Sequence, residues 1–189
     1  MNHKRLSNVI GFDDAPFEAA QRGPVAVVGA VFAGPRLDGV LMGEVEKDGF
    51  DSAARLATLV AESKFAQQTN LIMLQGITLG GFNVVDVFSL HQTLKLPVLV
   101  VTRREPEMDV IQAALLENFI DGAERWAVLE RLGPMEAAGD IFVQRVGLSL
   151  DQARQVIEST AIHSRIPEPV RAAHLIAGAL GRGQSRGNP

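Results

Sequence analysis

The sequence predicts an α/β fold, a mixed β-sheet with helices on both faces. Three observations predict it. The first fifty residues carry three short apolar or alternating runs separated by turn chemistry, with no helical period between them. From Asp51 the apolar spacing changes to that of a helix. After that, short apolar β-branched runs alternate with amphipathic stretches, the pattern of strands joined by helical crossovers.

The elements follow in order. Val9, Ile10 and Phe12 form an apolar run that stops at Asp13-Asp14, and predict a buried strand over about 6–12. Gln21-Arg22-Gly23-Pro24 is a turn, and Val25 to Phe32 is almost wholly apolar, a second buried strand. Gly34-Pro35-Arg36-Leu37-Asp38-Gly39 turns the chain again into a loosely alternating third strand over 40–46. Connections this short make antiparallel hairpins. Ala54, Leu56, Leu59, Val60 and Phe65 recur at helical spacing, so a helix over about 51–66 is expected, capped by Asp51 or Ser52. Leu71 to Leu74 is a short buried strand. Gly76 to Gly81 is a loop, after which Asn83 is expected to cap a helix running to about Lys95. Val98 to Val101 is another strand, and helices are expected over about 107–119 and 122–132. Ile141 to Arg145 reads as an edge strand. Ser149 caps a helix to about Thr160, and Pro169 opens a last one to about Gly178. The glycine- and arginine-rich tail from about 181 is expected to be mobile.

The order is thus β-β-β-α-β-α-β-α with further helices, read as one domain over 1–189. A doubly wound dinucleotide fold needs an early β-α-β unit and a G-x-G-x-x-G after the first strand, and neither is present. There is no internal repeat and no long linker.

Composition narrows the chemistry. The chain has no cysteine, which excludes a thiolate metal site, a cysteine nucleophile and a disulfide scaffold, and is compatible with the cytoplasm. No apolar run reaches the length of a membrane span, and no membrane association is expected. The net charge of −4 argues against a large electrostatic footprint on nucleic acid and leaves room for a local basic patch. Such a patch is suggested by Arg154, Arg165, Arg171, Arg182 and Arg186 toward the C-terminus.

Three groups of residues carry candidate chemistry. The first is acidic. Asp13 and Asp14 end the first strand, Asp48 and Asp51 flank the junction into the first helix, and Asp86 lies near the start of the second. In a sheet where strand one is central, these positions can meet at one edge. Carboxylates without cysteine or paired histidines suit a hard cation such as Mg²⁺ or Mn²⁺. The competing explanation is that aspartates at strand ends and helix starts are caps and turn formers. Side chains alternate across a strand, so only one of Asp13 and Asp14 is expected to face the site, and Asp13 is the chosen ligand. The second group is the loop from Gln75 to Asn83, where Gly76, Gly80 and Gly81 could let backbone N–H groups cradle an anion. No G-K-[ST] accompanies them, and a tight turn would use the same residues. The third is Ile166 to His174, where Arg171 and His174, three residues apart, share a helix face. Arg171 could grip a phosphate and His174 assist proton transfer, or Arg171 could simply pair with Glu168 and His174 sit against the apolar helix.

Four blocks bring these residues together: Gly11-Phe12-Asp13-Asp14-Ala15-Pro16-Phe17; Glu46-Lys47-Asp48-Gly49-Phe50-Asp51; Gln75-Gly76-Ile77-Thr78 with Gly81-Phe82-Asn83-Val84-Val85-Asp86; and Ile166-Pro167-Glu168-Pro169-Val170-Arg171 with Ala173-His174. Together they resemble one prokaryotic family, the domain-of-unknown-function family 99, also called endonuclease dU, over about residues 6 to 185. The resemblance implies an endonuclease V-like branch of the ribonuclease H-like superfamily, with a five-stranded mixed sheet in the order 3-2-1-4-5. It implies a metal-dependent endonuclease that acts on DNA or RNA carrying deaminated bases. Asp13 matches the first-strand metal ligand of such proteins, and Asp48 or Asp51 would fill the second place. The third, an aspartate just before a glycine at the end of strand four, is Gln75 here, with Asp86 as its substitute. On this reading Asp13, Asp48 and Asp86 are catalytic, Asp14 and Asp51 complete the metal set, and Gly76, Gly80, Gly81, Asn83, Arg171 and His174 bind substrate. Two alternatives stand beside it: a ribonuclease H-like module that binds nucleotide or nucleic acid without hydrolysis, which Gln75 favours, and a hydrolase or phosphotransferase for small phosphorylated molecules.

Overall fold

The computed structural model describes residues 6–185. Three antiparallel strands come first: β1 (Asn8–Asp14), β2 (Pro24–Ala33) and β3 (Arg36–Glu46). Helix α1 (Ser52–Ala61) crosses to β4 (Leu71–Gln75), which lies parallel to β1. A small hairpin follows, β5 (Thr78–Leu79) with β6 (Asn83–Val84), and then α2 (Val87–Leu94), β7 (Val98–Thr102), α3 (Met108–Asn118) and α4 (Gly122–Leu132). The chain closes with β8 (Glu136–Ala138), β9 (Ile141–Val146), α5 (Leu150–Thr160) and α6 (Glu168–Arg182).

The main sheet has seven strands in the order β3-β2-β1-β4-β7-β9-β8. Its first five places reproduce the expected 3-2-1-4-5 arrangement, with β9 and β8 added beyond β7. This corrects the five-stranded expectation, and it also corrects the reading of 141–145 as an edge, because β8 covers that strand. The short Glu136-Ala137-Ala138 run lacks the β-branched residues by which a strand announces itself.

Alternation along the central strands divides the core in two. Ile10 and Phe12, Ile72 and Leu74, and Val98 and Val100 face a layer built from α1 to α4. Val9, Leu71, Met73, Leu99 and Val101 face α5 and α6. Farther along α6, Ala173 and Ala177 lie on Val28, Ala30 and Phe32 of β2. Helix α6 comes very close to β1 at Gly11, where an added Cβ would stand 2.2 Å from the carbonyl carbon of Pro169. Glycine is therefore required at that crossing, and the contact fixes where the rest of α6 lies over the sheet.

Two helix boundaries differ from expectation. The second begins at Val87 and is capped by Asp86, whose Oδ1 accepts the Phe88 and Ser89 amides. The expected cap, Asn83, lies in β6. The last helix extends to Arg182, beyond the expected end near Gly178. Of the tail expected to be mobile, 186–189, with Arg186, lie outside the described residues, as do residues 1–5. Among the described residues no helix is long and apolar enough to cross a membrane.

Candidate functional site

The site sits where the parallel strands β1 and β4 end side by side. Asp13 is the penultimate residue of β1 and is buried, on the face covered by α6. Its Oδ2 accepts a hydrogen bond of 2.7 Å from Nδ1 of His174, one turn and a little more along α6 from the Gly11–Pro169 contact. With Nδ1 donating to the carboxylate, Nε2 is the nitrogen left to interact beyond the pair. Asp13 Oδ1 accepts the Asp14 amide at 3.0 Å.

Asp14 is the last residue of β1; its Oδ2 accepts the Gly80 amide at 3.0 Å, and its carboxyl stays close enough to that of Asp13 for the two charges to repel. Burial, and then the neighbouring Asp13 charge, push the Asp14 carboxyl up from its ordinary 3.8 to about 6. Gln75 is the residue after Leu74, which pairs with Phe12, and strand alternation turns its side chain to the same face as Asp13. Its Oε1 is buried and makes no hydrogen bond among the described residues. A buried carbonyl oxygen without a donor is costly and points to a partner supplied from outside the chain.

The other expected ligands are held elsewhere. Asp48 adopts a left-handed φ of 54° and its Oδ1 accepts the Phe82 amide at 2.9 Å. Asp51 accepts from the Glu46 amide, Asn83 Nδ2 and Arg55 Nε. Burial works to raise its carboxyl, but these bonds outweigh it and hold the group below the usual range. Asp86 caps α2. The expectation of five aspartates converging on one metal is therefore corrected: among the described residues no three His, Asp or Glu side chains form a set that would enclose a cation. The donors available at the strand ends are two carboxylates, Asp13 and Asp14, and the amide oxygen of Gln75. All are hard oxygen donors, so the set fits Mg²⁺ or Mn²⁺ retaining several of its waters.

The expected substrate contacts are corrected in the same way. The Gly76 amide is used by Val101 O, the Gly80 amide by Asp14 and the following Phe82 amide by Asp48, so the loop is not an open anion cradle. Gly80 and Gly81 have φ of 60° and 91°, and a Cβ on Gly81 would stand 2.2 Å from Asp48 Oδ1. The glycines serve a tight turn clasped by that carboxylate. Asn83 is buried, donating to Glu46 O and Asp51 and accepting the Ser52 amide, which caps α1. Arg171 clasps Glu168 through Nε and Nη2, the shorter bond 2.7 Å, and is not free to grip a phosphate. His174 alone of the third group reaches the site.

One residue that organises this region was not anticipated. Arg125 of α4 is buried and donates from Nη1 to both Asp48 O and Phe82 O, while Asp121 receives its Nε and Nη2. Its guanidinium lies 4.3 Å from the centre of the Phe119 ring. It ties the loop after β3 to the β5–β6 hairpin. Its sequence signal was faint, an i,i+4 partner at Asp121 on a helix of otherwise ordinary polarity.

The endonuclease dU family profile matches residues 5–181. A UPF0215 protein of Deinococcus radiodurans is 48% identical over 185 residues, covering 98% of this chain and 94% of that protein. A UPF0215 protein of Methanothermobacter thermautotrophicus is 41% identical over 184 residues, covering 95% and 90%. Among solved structures, one from Archaeoglobus fulgidus superposes with a TM-score of 0.86 at 37% identity, over 93% of this chain and 99% of that one. Human endonuclease V gives 0.55 at 21% identity, over 91% and 83%, and Ciona intestinalis endonuclease V in complex with DNA gives 0.55 at 16%, over 88% and 82%. The chain belongs to the endonuclease dU family, and its mixed sheet is the ribonuclease H-like fold of endonuclease V.

Proposed function

We propose that the chain is a divalent-metal-dependent endonuclease that hydrolyses phosphodiesters in nucleic acid near deaminated bases. The observation that carries this reading is the buried Asp13 bonded to His174 at the end of the central strand, beside the unpartnered oxygen of Gln75. The family assignment supports it, as does the Ciona endonuclease V complex, whose DNA contains an inosine followed by a ribo-adenosine. Asp13 and Asp14 would hold Mg²⁺ or Mn²⁺, with Gln75 as a neutral donor. A cation held there would supply an activated water and offset charge on the phosphoryl oxygens. The protein's own part is positional. Asp13 fixes the imidazole of His174 so that Nε2 can hold or pass a proton, and the Gly80 amide fixes Asp14.

The test is cleavage of labelled single- and double-stranded oligonucleotides carrying uracil or hypoxanthine, with Mg²⁺ or Mn²⁺, by wild type, Asp13→Ala and His174→Ala. Metal-dependent cleavage lost in Asp13→Ala is the expected result. Folded wild type that cleaves no better than Asp13→Ala on either metal would refute it. That outcome would favour the second reading, a nucleic-acid-binding module without hydrolysis, for which Gln75 in place of a third carboxylate is the specific observation.

A further inference from the structure

A cavity of about 510 Å³ opens at the same sheet edge, beyond the end of β7, lined by Arg103, Arg104, Arg165, His163, Ser164 and Asp140 among others. Gln75 pairs with Val101, so Arg103 lies just past the strand next to the one that carries Gln75. Two strand spacings, about 10 Å, separate β7 from β1 and Asp13. The wall gathers three guanidiniums and one imidazole against a single carboxylate, in a chain whose net charge is −4. Arg165 is in contact with Asp140 at 3.5 Å, and His163 reaches Glu168 at 3.1 Å. Arg103 and Arg104 are exposed and form no ion pair among the described residues. Three arginines that share one carboxylate repel one another, and an anion relieves that repulsion. The planar fork of arginine suits phosphate in particular.

We propose that this cavity binds a backbone phosphate of the nucleic-acid strand whose scissile bond lies at Asp13. The inference rests on the nuclease reading for the identity of the ligand. Asp140 opposes the phosphate and keeps the grip weak. A strand held there runs along the carboxyl ends of β7, β4 and β1, and one local contact of this kind reconciles nucleic-acid binding with an acidic protein.

The experiment measures binding of a fluorescent single-stranded oligonucleotide by anisotropy, without divalent metal, across a salt series. The proteins are the full chain, Arg103→Gln/Arg104→Gln, Asp140→Asn and Arg36→Gln, the last at the distant β2–β3 turn. Each single-strand phosphate neutralised contributes about 0.7 to the slope of log affinity against log salt. The double variant is expected to bind about tenfold more weakly with the slope reduced by about 0.7. Asp140→Asn is expected to bind several-fold more tightly, a gain that misfolding cannot produce, and Arg36→Gln to match wild type. Unchanged affinity and slope in the double variant would overturn the proposal. So would an equal loss in Arg36→Gln, or inorganic phosphate saturating the cavity while the oligonucleotide binds independently of Arg103 and Arg104. Arginine-dependent binding without metal-dependent cleavage would keep the phosphate site and sink the nuclease reading. Cleavage by a double variant that binds as wild type does would do the reverse.

Discussion

Replacing Asp14 by asparagine is expected to stabilise the protein at neutral pH and to abolish its metal response. Burial and the Asp13 charge raise the Asp14 carboxyl from 3.8 to about 6. A tenfold change in proton affinity is worth about 1.4 kcal/mol, so keeping Asp14 ionised in the folded chain costs about 3 kcal/mol, an upper value for a group that is not fully sealed. The sign follows from proton counting. Between pH 3.8 and about 6 the folded state binds more protons at this position than the unfolded state does, so its contribution to stability is intact below that window and declines as pH rises through it. An asparagine keeps a carbonyl oxygen for the Gly80 amide and removes the charge. At pH 7 Asp14→Asn should melt up to about 6–12 °C above wild type, at about 2–4 °C per kcal/mol for a chain of this size. At pH 4 the gap should shrink to a small fraction of that. Mn²⁺ should raise the melting temperature of wild type and not of the variant. Thermal melts at the two pH values, with and without metal, decide the matter. A variant that melts at or below wild type at pH 7, or a gap independent of pH, would refute the reasoning.

Other expectations follow from single contacts. Gly11→Ala forces α6 away from β1 at Pro169, which should cost about 1–3 kcal/mol and, by displacing His174, lower cleavage more than Ser63→Ala, after α1, does; urea unfolding and oligonucleotide cleavage measure the two effects. Arg125→Met leaves Asp48 O and Phe82 O without their shared donor and should destabilise by about 2–3 kcal/mol in denaturant titrations, whereas Arg55→Met, on an exposed pair, should cost less than about 1 kcal/mol. Gln75→Asp adds a third carboxylate and should tighten Mn²⁺ about tenfold or more by calorimetric titration, and equal affinity would place Gln75 outside the centre.

Much of the fold was legible because the central strands carry buried apolar runs and α1, α5 and α6 have a clear helical period. Ser149 shows how far a local signal reaches: its side chain and that of Gln152 form the reciprocal cap that begins α5 at Leu150. The β5–β6 hairpin was not legible, since two-residue strands between glycines carry no period. The site was legible in part. Asp13, Asp14 and His174 stood out as residue types in place, but the bond between Asp13 and His174 joins positions 161 residues apart, and no spacing rule connects them. It depends on Gly11 admitting α6 to the sheet, a packing fact that a lone glycine in a strand only hints at.

The misassigned aspartates are bound into the site's support, which explains why acids cluster there. Asp13 is positioned by α6 and Asp14 by the Gly80 amide of the hairpin, so the pair keeps its geometry only if helix and hairpin are both fixed relative to β1. The hairpin has little core of its own. Asp48 holds its tip through the Phe82 amide, the Asp48 amide itself donates to Gly80 O, Asp51 and Asn83 bind its second strand to the end of β3, and Arg125 spans both loops. Each carboxylate there accepts backbone or amide hydrogens that a turn this tight cannot satisfy internally. The same residue type at neighbouring positions thus serves two purposes, and burial separates them: Asp48 and Asp51 have their oxygens turned to donors within the protein, while Asp14 keeps an uncompensated cost. That cost is what a cation would relieve, so loosening the hairpin at Asp48 should weaken metal binding even though Asp48 itself touches no metal.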